Sequence, residues 1–170
     1  MAWQTSTTIT NATGSNLTAG AEATGADYGA IKVQEGGILD TATVSSAGYV
    51  YVGSAGSATE LTVLKGGSAV VSGGYLSGGT FYGNLRLSRN TAVNASVYDV
   101  AISSGGYLWT QPGTATIADA RIYSAGSAFF NDTIYLTNVV VEQGGKFAMG
   151  GNTLYIVDDG GKTRDRKSVV

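Results

Sequence analysis

With His and Cys absent, the carboxylates are the first candidates for acid–base chemistry in this sequence. The chain of 170 residues contains no His and no Cys. That excludes a Ser-His-Asp triad, a His general base, a His- or thiolate-ligated metal and any disulfide. Asp158 and Asp159 form the one adjacent acidic pair, in "VDDGG", a setting where Asp favours a turn. A turn role is therefore expected of them. Asp99, Asp119 and Glu142 are scattered along the chain and have no clear basic partner in the sequence. Cleavage of polysaccharides needs carboxylates gathered on one face with basic helpers. Calcium-binding nonapeptide repeats need an Asp at a fixed offset after glycines, and none recurs. No catalytic, cofactor-binding or metal residue is assigned, and no cofactor is expected.

Aromatic residues offer a different chemistry. Tyr49, Tyr51, Tyr107, Trp109, Phe129 and Phe130 recur near glycine turns. They read first as packing between neighbouring strands, and alternatively as a sugar-stacking strip. "TAT" at 41–43 and 114–116 is like the Thr arrays of ice-binding solenoids, but most of the chain lacks it. Ten basic residues oppose twelve acidic ones, and four of the basic ones lie in the last nine positions. Residues 1–161 carry six basic and eleven acidic residues. A dispersed acidic surface disfavours nucleic acid and anionic membrane. No stretch is long and apolar enough for a transmembrane helix.

The elements that must hold these residues are punctuated by glycine. There are 26 glycines and one proline, Pro112, and charged residues make up only 13%. The apolar fraction of 43%, rich in β-branched residues, favours a folded β protein over low complexity. The last glycine of each turn recurs at a fixed spacing. Gly37 and Gly56, Gly48 and Gly67, and Gly126 and Gly145 are equally far apart, and Gly106 to Gly126 is longer by one. Long blocks such as "SATELTVLKGG" alternate with short ones such as "SAVVSGG". Region 80–96 fits this pattern poorly, and region 1–30 only faintly. A period this short, with β-branched segments, predicts short strands joined by glycine corners and stacked as a parallel β-helix.

Alternation within the long blocks supports that reading. Ala42 and Val44, Leu61 and Val63, Val100 and Ile102, Ala120 and Ile122, and Val139 and Val141 occupy equivalent places before their turns. A single residue separates the members of each pair, so both point to one face of a strand. They are expected to form two inward apolar columns. Thr43, Thr62, Ala101, Arg121 and Val140 lie between them and are expected to point outward.

The stretches "VSSAGYVYVGSAGSATELTVLKGGSAVVSGG", "ISSGGYLW", "IYSAGSAFF" and "VVEQGGKFAMGG" resemble the passenger repeats of AIDA-type autotransporter adhesins of Gram-negative bacteria. The resemblance spans roughly residues 31–161. It implies an all-β, right-handed parallel β-helix (β-solenoid) with coils of about 19 residues. It also implies a non-enzymatic segment of a secreted bacterial surface passenger, acting in adhesion and self-association. Its partners would be cell-surface molecules or identical passengers on neighbouring cells, with no membrane insertion by this segment. Some members carry glycosylated Ser and Thr, and Ser45, Ser46, Ser103, Ser104 and Ser124 sit beside turns where such modification is expected. A phage tailspike or tail-fibre segment and a polysaccharide-degrading β-helix enzyme are the alternatives.

Three regions are expected: weakly patterned coils or a cap at 1–30, β-helix repeats at 31–163, and a disordered tail at 164–170. The closing "DRKSVV", written as GAT CGG AAG AGC GTC GTG, resembles one reading frame of a common short-read library adapter. The tail is therefore expected to be an artefact that truncates a longer gene. "MAWQTSTTIT" does not read as a signal peptide.

Overall fold

β-Branched residues between glycine turns do form strands, and the strands stack in parallel. A computed structural model describes residues 6–20, 29–88, 93–111, 114–131, 133–150, 154–157 and 163–165. The chain begins with β1 (Ser6–Thr10) and β2 (Thr13–Ala19), followed by β3 (Ala30–Gln34) and β4 (Ile38–Val44). Next come β5 (Tyr49–Val52), β6 (Ser57–Val63), β7 (Ser68–Ser72) and β8 (Tyr75–Phe81). Then β9 (Asn84–Ser88) leads to the short pair β10 (Ala95–Tyr98) and β11 (Ala101–Ile102). The same three-strand unit recurs as β12 (Tyr107–Thr110), β13 (Ala115–Ala118) and β14 (Arg121–Ile122). It appears again as β15 (Ser127–Asn131), β16 (Ile134–Thr137) and β17 (Val140–Val141). The described chain ends with β18 (Lys146–Gly150), β19 (Leu154–Val157) and β20 (Thr163–Asp165).

These strands make two sheets. Sheet A has eight strands in the order β1-β3-β5-β7-β9-β12-β15-β18, and sheet B has twelve. Every described pairing is parallel except β19 with β20. The architecture is a parallel β-solenoid, as the repeat predicts. In sheet A, Tyr49 aligns with Ser68 and Tyr107 with Ser127. Each step is one sequence period, the second longer by one.

The region that fits the repeat poorly keeps its place in the stack. β9 pairs with β7 and β12, with Asn84 aligned to Ser68 on one side and to Tyr107 on the other. The first of these steps is shorter than the period and the second is longer. The chain shortens one connection and lengthens the next, so strand register survives while sequence period does not. β1 and β2 likewise stack on β3 and β4. The expected boundary at 164 falls within β20, which pairs through Arg164 with Ile156. Residues 166–170 lie outside the described residues.

The space between the sheets is filled by the expected columns. Ala42, Val44, Leu61, Val63, Val100, Ile102, Ala120 and Ile122 are all buried. Sheet A adds Ile31, Val33, Val50, Val52, Leu85, Leu87, Leu108 and Phe130. Phe130 meets Phe147 edge-on at 5.1 Å between ring centres. Each buried Val or Leu contributes about 2 kcal/mol, so the stack and not any single coil is the stable unit. Val139 packs only partly against this core, and Val141 departs further from expectation at 42% exposed. It continues the column of Ile122, but β17 ends that side of sheet B and no described strand covers it.

The corners explain the glycine pairs by two different means. The last glycine of each turn has no room for a side chain. A Cβ on Gly67 would lie 2.6 Å from the Val44 carbonyl oxygen of the coil below, and one on Gly145 would lie 2.6 Å from that of Ile122. The preceding position needs a left-handed backbone, with φ of 84° at Gly66 but also 60° at Ala47 and Ala125. Ala can therefore stand in for the first glycine but not for the second, which is why "SAG" and "KGG" are equivalent turns.

A third bend, not anticipated from the sequence, breaks the sheet B strands. Asn16, Thr41, Glu60, Asp99, Asp119 and Asn138 all have positive φ, and register places them in one column with Gly78. Asn and Asp tolerate this conformation better than other side chains.

Candidate functional site

Strand alternation that turns Val50, Val52, Leu85, Leu87 and Leu108 inward must turn their neighbours outward. On sheet A those neighbours form two ladders. One runs Tyr49, Ser68, Asn84, Tyr107, Ser127, Lys146. The other runs Lys32, Tyr51, Val70, Arg86, Trp109, Phe129. Five of the six aromatic residues noted in the sequence thus share the outer face of one sheet, and only Phe130 is core. Phe130 packs between rungs in the core, and the other five lie in register on the outer face.

Arg86 organises the middle of that strip. Its guanidinium carbon lies 5.7 Å from the centre of the Trp109 ring, a cation–π distance. It donates a hydrogen bond to the Tyr49 phenol. Burial pushes that phenol above its ordinary value of 10.0, and the Arg86 charge pulls the other way. The Arg86 Nε is buried without a partner. Tyr49, Ser68, Ala69, Val70, Asn84, Arg86, Tyr107 and Trp109 line a depression of about 410 Å³. That volume is in the range of small-ligand sites, roughly 300–1,000 Å³. Another depression, beside Gly73 and Gly74, has no charged lining residue. Flat aromatic faces and a fixed fork of donors suit a sugar ring, which offers C–H faces to stack and hydroxyls to bond.

The carboxylates are elsewhere. Glu142 has a partner that the sequence did not reveal, Arg121 Nη1 at 3.0 Å across one coil step. Asp119 accepts a hydrogen bond from Asn138 Nδ2 at 3.0 Å, and Asp40 accepts one from Thr59 at 2.9 Å. Asp99 and Asp119 stack in neighbouring coils at the sheet B bend. The contacts of Asp40, Asp119 and Glu142 are coil-to-coil staples on the surface. Among the described residues no group of three or more acidic side chains is placed to hold a metal ion. Asp158 and Asp159 lie outside the described residues.

The turn serines divide by accessibility. Ser46, Ser104 and Ser124 are exposed, whereas Ser45 and Ser103 are half-buried. Ser45 also donates its hydroxyl proton to the Ala19 carbonyl at 3.2 Å.

No protein-family model and no curated protein matches the chain. Among solved structures it is similar to a TibC-catalysed hyper-glycosylated TibA55-350 fragment, at 16% identity over 86% of this chain and 92% of that one. The TM-score is 0.27. A superposition that loose transfers no residue and no activity.

Proposed function

We propose that this chain is a non-enzymatic segment of a bacterial surface β-solenoid of the autotransporter-passenger kind, acting in adhesion and self-association. One observation carries the reading: five aromatic side chains and Arg86 share the outer face of sheet A, while Asp40, Asp119 and Glu142 bond across coils elsewhere. A stiff stack that repeats similar contacts at each coil gains strength by multivalency. The repeat pattern of residues 31–161 supports the family reading. Ser46, Ser104 and Ser124 are the accessible acceptors for the glycosylation that the family implies.

The test couples the purified segment to beads and scores attachment to glycan-coated surfaces and bead clustering. Replacing Tyr107 and Trp109 together with Ala is expected to lower attachment about tenfold or more, because stacking contributes on the order of 1 kcal/mol per ring. Asp40→Asn and Glu142→Gln are expected to leave it unchanged. A single acidic substitution that abolishes activity while the melting curve stays normal would point instead to an enzyme.

A further inference from the structure

We infer that the depression around Arg86 takes a carboxylate-bearing saccharide. The inference rests on the adhesive reading of the same face and adds the chemistry of what is bound. Its first support is the segregation of charge. No described strand of sheet A contains an Asp or Glu, although the chain is acidic overall with a formal net charge of −2. The described charged side chains on the outer face of sheet A are Lys32, Arg86 and Lys146. The described acidic side chains Asp40, Glu60, Asp99, Asp119 and Glu142 belong to sheet B, its bend or the turn after it, and Glu35 lies in the turn after β3, beyond the end of the sheet A ladder. One face of an acidic rod is thus cationic, and it is the face with the depression.

The second support is the state of Arg86. A guanidinium carries five donors and no acceptor. Tyr49 accepts from it and Trp109 covers one face, but Nε has no partner and the lining of the depression has no carboxylate. A carboxylate can take two parallel bonds from such a fork, and a planar guanidinium distinguishes it from a hydroxyl. Tyr107 and Trp109 then offer ring faces to the sugar that carries it, and Asn84 can bond its hydroxyls. A flat copy-to-copy contact does not explain a depression of about 410 Å³ lined by an arginine and by no carboxylate.

The experiment titrates the purified chain with two matched pairs, tri-galacturonate against its carboxyl-reduced trimer and 3′-sialyllactose against lactose. Calorimetry and Trp109 fluorescence report binding. At least one acidic member is expected to bind about tenfold or more tighter than its neutral match, the scale of a charge-assisted hydrogen bond. Arg86→Gln should remove that preference, Arg86→Lys should keep part of it, and Lys65→Gln, on a turn, should not alter it. Circular dichroism checks that each variant folds. Equal binding of acidic and neutral members, unchanged in Arg86→Gln, overturns the inference while the adhesive reading stands. Binding of no saccharide, with self-association lost in Arg86→Gln, overturns it in favour of a second copy of this chain. Failure of both saccharide binding and bead attachment removes the adhesive reading as well.

Discussion

Tyr49 shows how a single residue couples the scaffold to the site. Its backbone belongs to β5, and its ring stands on the outer face against Arg86. Burial raises its phenol above the ordinary value, opposed by Arg86 and reinforced by Tyr51. The folded chain thus holds this proton more tightly than the unfolded chain does. Such a group contributes stability that is complete below the ordinary phenol pKa and lost as pH rises through the folded value. Tyr49→Phe is therefore expected to lessen the alkaline loss of stability. Urea midpoints of both proteins at about pH 9 and about pH 11 check this. A wild-type loss no greater than that of the variant would contradict it. Arg86 itself was not legible as a site residue. It lies in region 80–96, where the connection lengths obscure the repeat, and only register brings it beside Trp109. Thr110 was missed for a similar reason. It is buried among apolar neighbours because its hydroxyl bonds both the carbonyl and the N–H of Asn131, each at 2.8 Å, one coil away.

At the scale of the element, the glycine corners were legible because their constraint repeats in the sequence. A strand's inward pair and the final glycine each recur at one offset per coil, so Leu61, Val63 and Gly67 announce their roles together. The third bend left a weaker signal. Its column mixes Asn, Thr, Glu, Gly and Asp, residues that share a backbone conformation and little else. The two corner positions make opposite predictions for similarly small changes. Gly67→Ala forces a Cβ against the Val44 and Ser45 carbonyl oxygens, at 2.6 and 2.9 Å, and neither coil can move without breaking its ladder. That overpacking is expected to cost about 1–3 kcal/mol. Ala47→Gly relieves a left-handed Ala at φ 60° and loosens the unfolded chain, so its net effect is expected within about 1 kcal/mol of zero. Chemical denaturation of the two variants distinguishes close approach from backbone conformation. Equal destabilisation would mean that the corner is limited by φ alone.

The whole molecule behaves as a stack in which each coil closes its neighbours. Leu61 and Val63 lie in register with Ala42 and Val44 on one side and with Gly79 and Phe81 on the other. Backbone bonds follow the same path, with Leu64 N donating to Val44 O at 2.8 Å and Tyr82 N to Val63 O at 2.7 Å. An injury at one inward position must therefore travel in both directions. Val63→Asp places a carboxylate where Val63 is fully buried and no polar partner waits. Leaving such a charge uncompensated costs about 3–5 kcal/mol or opens the coil. An opened coil exposes the ladder edges of β4 and β8, and unpaired edges invite strand addition. The expected outcome is a lower melting temperature, faster amide exchange in β4 and β8 as well as β6, and aggregation on heating. Exchange confined to β6 would show that coils fail independently. The two outward ladders that carry Tyr49, Arg86 and Trp109 are held in place only by this stack, so Val63→Asp should also weaken binding at a site on the opposite sheet. Conversely, Trp109→Ala should weaken binding without accelerating exchange in β6, because the ring lies outside the core that the coils share.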